Sequence, residues 1–211
     1  MNLKKKSNKL PLLVSQDNFL DIKLINQINS YVDKVYNNQS CVWRSSHSWA
    51  PGVRRATNPV SILDLPDEFT LPIRQRLKKT SLTWTNNNLP HRSMYYIYPP
   101  GGYIAWHDDG GYDFASIIFL NPIWNLDWGG LFLYDDLKGL GIRSEVPDFN
   151  RCVIHTGGIP HAVSIVAPDA PLRRVIVTLG PSIAKEKKEA ADKRWTAWTK
   201  KRNFNYRGFN K

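Results

Sequence analysis

The stretch that decides the fold reads Met94-Tyr95-Tyr96-Ile97-Tyr98-Pro99-Pro100-Gly101-Gly102-Tyr103-Ile104-Ala105-Trp106-His107-Asp108-Asp109. Two short runs rich in aromatic and β-branched residues flank a Pro-Pro-Gly-Gly break, the pattern of two strands joined by a turn. Outward from it the same texture continues. Ala115 to Leu120 is a continuous apolar run, as in a strand buried on both faces. Gly130 to Tyr134, Arg151 to His155, Ala162 to Val166 and Arg174 to Leu179 read as further strands.

Upstream the periodicity is helical. Leu20, Leu24, Ile25, Ile28, Tyr31, Val32 and Val35 make an apolar stripe between about Asp17 and Tyr36, with Ser15 or Asp17 as its cap. Pro66-Asp67-Glu68 opens a second helix carrying Phe69, Leu71, Ile73 and Leu77. Two early helices followed by about seven short strands predict an α+β, mainly β protein built as a sandwich or barrel of antiparallel sheets. The expected division is one domain over residues 1–180, with helical support at 15–80 and a β core at about 92–180, then an extension over 181–211.

That extension differs in character. Lys185, Lys187, Lys188, Lys193, Arg194, Lys200, Lys201, Arg202, Arg207 and Lys211 face only Glu186, Glu189 and Asp192, within a chain whose net charge is +11. The excess favours an acidic partner, nucleic acid included. Trp195, Trp198, Phe204, Tyr206 and Phe209, interleaved with these cations, can stack on bases. The plainer expectation is that the aromatics pack on the domain and the charges are solvated.

The chain of 211 residues is 42% hydrophobic, which suits a folded core and excludes a disordered tail protein. With only Cys41 and Cys152 there is no disulfide framework and no cysteine zinc cluster. The apolar stretch Leu10–Val14 is too short for a signal peptide, and no run approaches the roughly 20 apolar residues of a membrane span. The expectation is a soluble, cytoplasmic protein with no membrane partner. No oligomeric state follows from the sequence.

The chemistry starts at His107-x-Asp109. On a strand, residues i and i+2 share a side, so His107 and Asp109 can reach one ion while Asp108 points away. His161, after the bend Gly157-Gly158-Ile159-Pro160, completes a two-His-one-carboxylate set, the arrangement that holds Fe(II) with positions left open. Arg174 is expected to anchor an anionic cosubstrate, since guanidinium grips carboxylate in two-pronged fashion. Arg174, Ile176 and Thr178 would share one face, with Thr178 as a second donor and Arg173 pointing away. His155 is a rival third ligand that lacks the Pro-His-x-Val setting of His161.

From about Tyr95 to Gly180 the chain resembles the prolyl 4-hydroxylase-like branch of the Fe(II)/2-oxoglutarate-dependent dioxygenases. The resemblance rests on Tyr98-Pro99-Pro100-Gly101-Gly102-Tyr103, His107-Asp108-Asp109, Ile118-Phe119-Leu120-Asn121 with Trp124, Gly129-Gly130-Leu131-Phe132-Leu133, Pro160-His161-Ala162-Val163 and Arg174-Val175-Ile176-Val177-Thr178. It implies a double-stranded β-helix, a jelly roll with N-terminal support helices. It further implies iron on His107, Asp109 and His161, with the distal carboxylate of 2-oxoglutarate on Arg174. Tyr98 and Tyr103 would line the pocket. The implied reaction consumes O2, releases succinate and CO2, and hydroxylates a peptidyl residue, proline first, as in procollagen-proline-type enzymes, with ascorbate as an accessory reductant. Two alternatives stay open: the same chemistry on a nucleic acid or small molecule, and a non-enzymatic jelly-roll binding module.

Departures from the pattern matter. Phe119 stands where relatives often carry a Tyr that helps hold the distal carboxylate, so Thr178 or Ser116 is expected to share that task. Gly180 stands where nucleic-acid demethylases of the superfamily carry a second Arg, which weighs against base repair. Asp109 keeps the carboxylate that halogenating relatives lose. Trp43 to Trp49, Trp84 and Trp124 to Trp128 are candidates for a substrate groove, and Arg54 and Arg55 for a gating loop.

Overall fold

The computed structural model describes residues 13–37, 44–46, 58–80, 92–136, 141–182 and 185–202. In chain order its elements are β1 (Leu13–Gln16), α1 (Ile22–Asn37), β2 (Arg44–Ser46), β3 (Val60–Asp64), α2 (Asp67–Leu77), β4 (Arg92–Tyr98), β5 (Ile104–His107), β6 (Phe114–Phe119), β7 (Phe132–Asp135), β8 (Ile142–Glu145), β9 (Cys152–Thr156), β10 (His161–Val163), β11 (Arg173–Leu179) and α3 (Lys185–Lys201). A single 3-10 turn, Leu126–Trp128, precedes β7. The strands form two sheets, β1-β9-β6-β11-β4-β3-β2 and β5-β10-β7-β8, with antiparallel pairing throughout. This is the α+β, mainly β architecture of antiparallel sheets that the strand pattern predicts, and the jelly roll that the resemblance implies.

Side-chain alternation divides the larger sheet into two faces. Its inner face contributes Tyr96, Tyr98, Phe119 and Val175 to a core shared with Phe132 and Val163 of the smaller sheet. Its outer face, with Tyr95, Ile97, Ile118 and Ile176, packs on Ile25, Ile28 and Val32 of α1 and Ile73 and Leu77 of α2. Both faces are therefore apolar, which explains the uninterrupted hydrophobic runs of β6 and β11.

α2 starts at Asp67 with Pro66 as its N-cap, as the sequence predicts. α1 starts later than the sequence suggests. Ser15 belongs to β1, and the cap is formed by Asp21, whose carboxylate accepts from the Lys23 amide at 2.7 Å. The strand pattern does not predict β1, β2, β3 or β8. Cys152 is buried and free. Cys41, Trp43, Trp49, Arg54, Arg55 and Trp84 lie outside the described residues. Among the described residues no helix is long and apolar enough to cross a membrane.

α3 packs beside the smaller sheet. The Trp198 indole donates to Asp135 at 2.8 Å, Arg202 donates to the same carboxylate at 2.7 Å, and Trp198 sits 5.2 Å from Trp106 and 5.2 Å from Trp195. Trp198 is buried. Phe204, Tyr206 and Phe209 lie outside the described residues.

Candidate metal centre

β10 lies between β5 and β7, and its register sets His161 opposite His107, with ring centroids 4.1 Å apart. β5 ends at His107, so strand alternation is not what delivers Asp109. Asp109 has φ +46°, a left-handed conformation that Asp tolerates better than most residues, and this turn returns its carboxylate to the imidazoles. The turn is fastened to the bend ahead of His161. Gly158 N donates to Asp108 O at 2.7 Å, and Gly157 N donates to Asp113 O at 2.9 Å. A Cβ at Gly157 would stand 1.8 Å from the Tyr112 carbonyl oxygen, so only glycine allows this approach.

His107 Nε2 is 3.8 Å from one Asp109 carboxylate oxygen and His161 Nε2 is 3.4 Å from the other. The three donor atoms lie within 4.8 Å of one another. His107 Nδ1 is 2.8 Å from the Ala105 carbonyl, and His161 Nδ1 is 2.8 Å from that of Ile159. A carbonyl only accepts, so each Nδ1 carries a hydrogen and each Nε2 is the nitrogen turned to the site, the orientation of a metal ligand. Burial, aided by the neighbouring His161, pushes the His107 ring down to about 4, so it is neutral near pH 7. Burial alone would push the Asp109 carboxyl up. The contact with His161 and the nearness of His107 outweigh it and hold the group well below its ordinary value. Two imidazole nitrogens and one carboxylate oxygen on one side of a site fit a two-His-one-carboxylate metal.

The arginines are the main correction. The sequence reading turns Arg174 toward the site and Arg173 away from it, and the structure reverses this. Arg173 is fully buried, its guanidinium 4.6 Å from the Tyr98 ring centroid and 5.4 Å from that of Phe119. Arg174 belongs to the outer face, where its Nη1 donates to Asp33 of α1 at 2.7 Å. The register explains it: Arg173 pairs with Tyr98 at the end of β4 and shares the inner face with Val175, whereas Arg174 shares the outer face with Ile176. Asn121 pins the start of the strand, accepting from Arg174 N at 2.7 Å and donating to Leu172 O at 2.9 Å.

Among the described residues none of the three Arg173 guanidinium nitrogens has a hydrogen-bond partner. Burial lowers its pKa while the nearby Tyr98 opposes the shift, and a guanidinium stays charged regardless. A buried cation set against two aromatic rings suits an anionic partner. Gly130 makes the space: with φ +60°, it would bring a Cβ to 2.7 Å from Arg173 Cδ. The room that Gly130 leaves is thus filled by the Arg173 side chain.

Thr178 and Ser116 follow Arg174 to the wrong side. Their register partners place them on the outer face, and Thr178 Oγ1 is 2.9 Å from Ser93 Oγ. Tyr103 does not line the cavity at the triad, whereas Tyr98 does. Burial pushes the Tyr98 hydroxyl up to about 12, so it remains a neutral donor. That cavity, about 30 Å³, is walled by His107, Asp109, His161, Tyr98, Ile117 and His155 among others. His155 is no member of the converging donor set. Its ring lies 4.5 Å from His161, and Phe132 stacks on it at 5.6 Å and also touches His161.

No protein-family model matches the chain, and no curated protein matches it. Solved structures do. A prolyl hydroxylase from Trichoplax adhaerens, in complex with a hypoxia inducible factor oxygen degradation domain peptide fragment, is 19% identical with a TM-score of 0.63, covering 85% of this chain and 86% of that one. A Pseudomonas putida prolyl-4-hydroxylase is 17% identical with a TM-score of 0.59, covering 82% and 94%. SnoN, a non-heme alpha ketoglutarate dependent epimerase from nogalamycin biosynthesis, is 10% identical with a TM-score of 0.55, covering 80% and 77%. The fold is thus that of prolyl 4-hydroxylases and other 2-oxoglutarate/Fe(II) oxygenases, and it carries more than one kind of reaction.

Proposed function

We propose that this protein is an Fe(II)- and 2-oxoglutarate-dependent dioxygenase that hydroxylates a peptidyl residue, proline first. The observation that carries the reading is a set of metal donors on one sheet and a buried cation on the inner face of the other. Three metal donors converge at the ends of β5 and β10, and a buried guanidinium without a partner among the described residues waits on β11 beside Tyr98.

Bound there, Fe(II) with 2-oxoglutarate supplies the oxidative chemistry, in which dioxygen is consumed and succinate and carbon dioxide are released. His107, Asp109 and His161 would hold the ion. Arg173 takes the distal carboxylate in a charge-assisted pair, in place of the Arg174 that the sequence pattern suggests. Phe119 provides a ring face and no hydroxyl, so Arg173 and Tyr98 carry the polar contact between them. The cavity suits an ion with a water-sized group. Seating a five-carbon diacid against Arg173 therefore takes rotation of the side chains between, Tyr98 above all. Phe132 backs the imidazoles and excludes water.

Peptidyl proline is favoured because the fold's relatives include prolyl hydroxylases, one of them seen with a peptide. The test is succinate formation from 2-oxoglutarate in air with Fe(II), ascorbate keeping the metal reduced, for wild type, His161→Ala and Arg173→Met. Slow turnover in the wild type that disappears in both variants is the expected result. Proline-containing peptides should then raise turnover and gain the mass of one oxygen. A wild type without turnover would overturn the dioxygenase reading, and one stimulated only by small molecules would overturn the peptide.

A further inference from the structure

We propose that His155 is a working part of the metal centre: its Nε2 accepts a hydrogen bond from a protic ligand, water in the resting protein, held at a position that His107, Asp109 and His161 leave open. The inference rests on the metal-centre reading above and adds a residue to it.

β9 delivers His155 to the inner wall, where the ring is 1% exposed and lines the same cavity as the triad. Its Nδ1 is 3.1 Å from the Thr156 carbonyl, so Nδ1 carries the hydrogen and Nε2 the lone pair. Nε2 is buried and without a hydrogen-bond partner among the described residues. An acceptor left unmade in an apolar interior is costly, and stacking on Phe132 needs only a ring, which Phe would provide without that penalty. The nitrogen thus points to a ligand. Direct coordination is not what the geometry offers, since the donors that converge are His107, Asp109 and His161. What remains is a partner that donates from within the cavity, and its volume of about 30 Å³ suits an ion with a water-sized ligand.

The test uses the full chain loaded with Mn(II), without cosubstrate, as wild type, His155→Phe, His155→Leu and His155→Gln. Pulsed EPR counts the histidine nitrogens on the metal, and water-proton relaxation follows exchange of the coordinated water. The expected result is two nitrogens in every form, a change of about twofold or more in relaxation for the Phe and Leu variants, and near-wild-type relaxation for Gln, whose amide oxygen still accepts. A third nitrogen in the wild type, absent from the variants, would make His155 a ligand and overturn the proposal. Unchanged relaxation in whichever apolar variant folds would reduce His155 to packing. A wild type that binds no Mn(II) overturns the metal-centre reading and this inference together.

Discussion

The inner and outer faces of β11 begin with the same residue type and put it to opposite uses. On the inner face Arg173 is sealed between Tyr98 and Phe119 with no hydrogen-bond partner among the described residues. On the outer face Arg174 meets Asp33 of α1, its side chain 25% exposed. A charge satisfied by its own chain contributes to the fold. A charge buried without such a partner costs the fold.

The largest effect expected from this contrast is on 2-oxoglutarate binding. Arg173→Met should weaken binding to the Mn(II)-loaded protein by about 10- to 100-fold, the range of about 1.5–3 kcal/mol for hydrogen bonds to a charged group. Arg174→Met should leave it within about twofold. The ligand-free Arg173→Met protein should be no less stable than wild type in urea, because a buried unpartnered charge has been removed. Calorimetric titration settles the comparison: if the Arg174 variant were the one that lost binding, the inner and outer assignments would have to be exchanged.

The fold and the metal donors were legible because each left a local mark. The Pro-Pro-Gly-Gly break, the His-x-Asp after a short strand and the Pro-His-Ala-Val run are read without knowing what faces what. The phase of β11 was not legible. Val175, Ile176 and Leu179 are all buried, so a strand covered on both sides has no hydrophobic alternation to reveal which arginine turns inward. Arg174 and Thr178 do share one face, and that face meets the helices. β1 was missed because its four residues find their partner in β9, far along the chain, and β8 because its Arg143 and Glu145 carry no apolar pattern. In the sequence His155 reads as a rival ligand. Its burial against Phe132 and His161 is a tertiary fact.

Gly130 offers a sharper probe of the inner face. Gly130→Ala must hold a left-handed backbone and place its Cβ 2.7 Å from Arg173 Cδ. It should lower stability by about 1–3 kcal/mol and displace the guanidinium, weakening 2-oxoglutarate binding in step. Combining it with Arg173→Ala, which removes the Cδ that the new Cβ meets, tests the cause. If the clash with Arg173 matters, the double variant loses less than the sum, with a coupling of at least about 0.5 kcal/mol between residues in contact. Additive losses in urea unfolding would assign the whole effect to the backbone.

The smallest effect belongs to the outer face. Arg174 and Asp33 form a 2.7 Å ion pair whose side chains are 25% and 51% exposed, so water and salt already screen it. A double-mutant cycle of Arg174→Ala and Asp33→Ala should give a coupling of about 0.2–1 kcal/mol, as for other exposed pairs, and the value should fall in high salt. Arg174 also lies near the Tyr95 hydroxyl, which donates to Asn29 of α1 at 2.7 Å, so a value toward the upper end is expected. A salt-insensitive coupling above about 2 kcal/mol would mean that the pair behaves as a buried one. The outer arginine would then be held by the fold as firmly as the inner one is left free of it. The contrast between the faces would lie in what each arginine meets and no longer in how deeply it is buried.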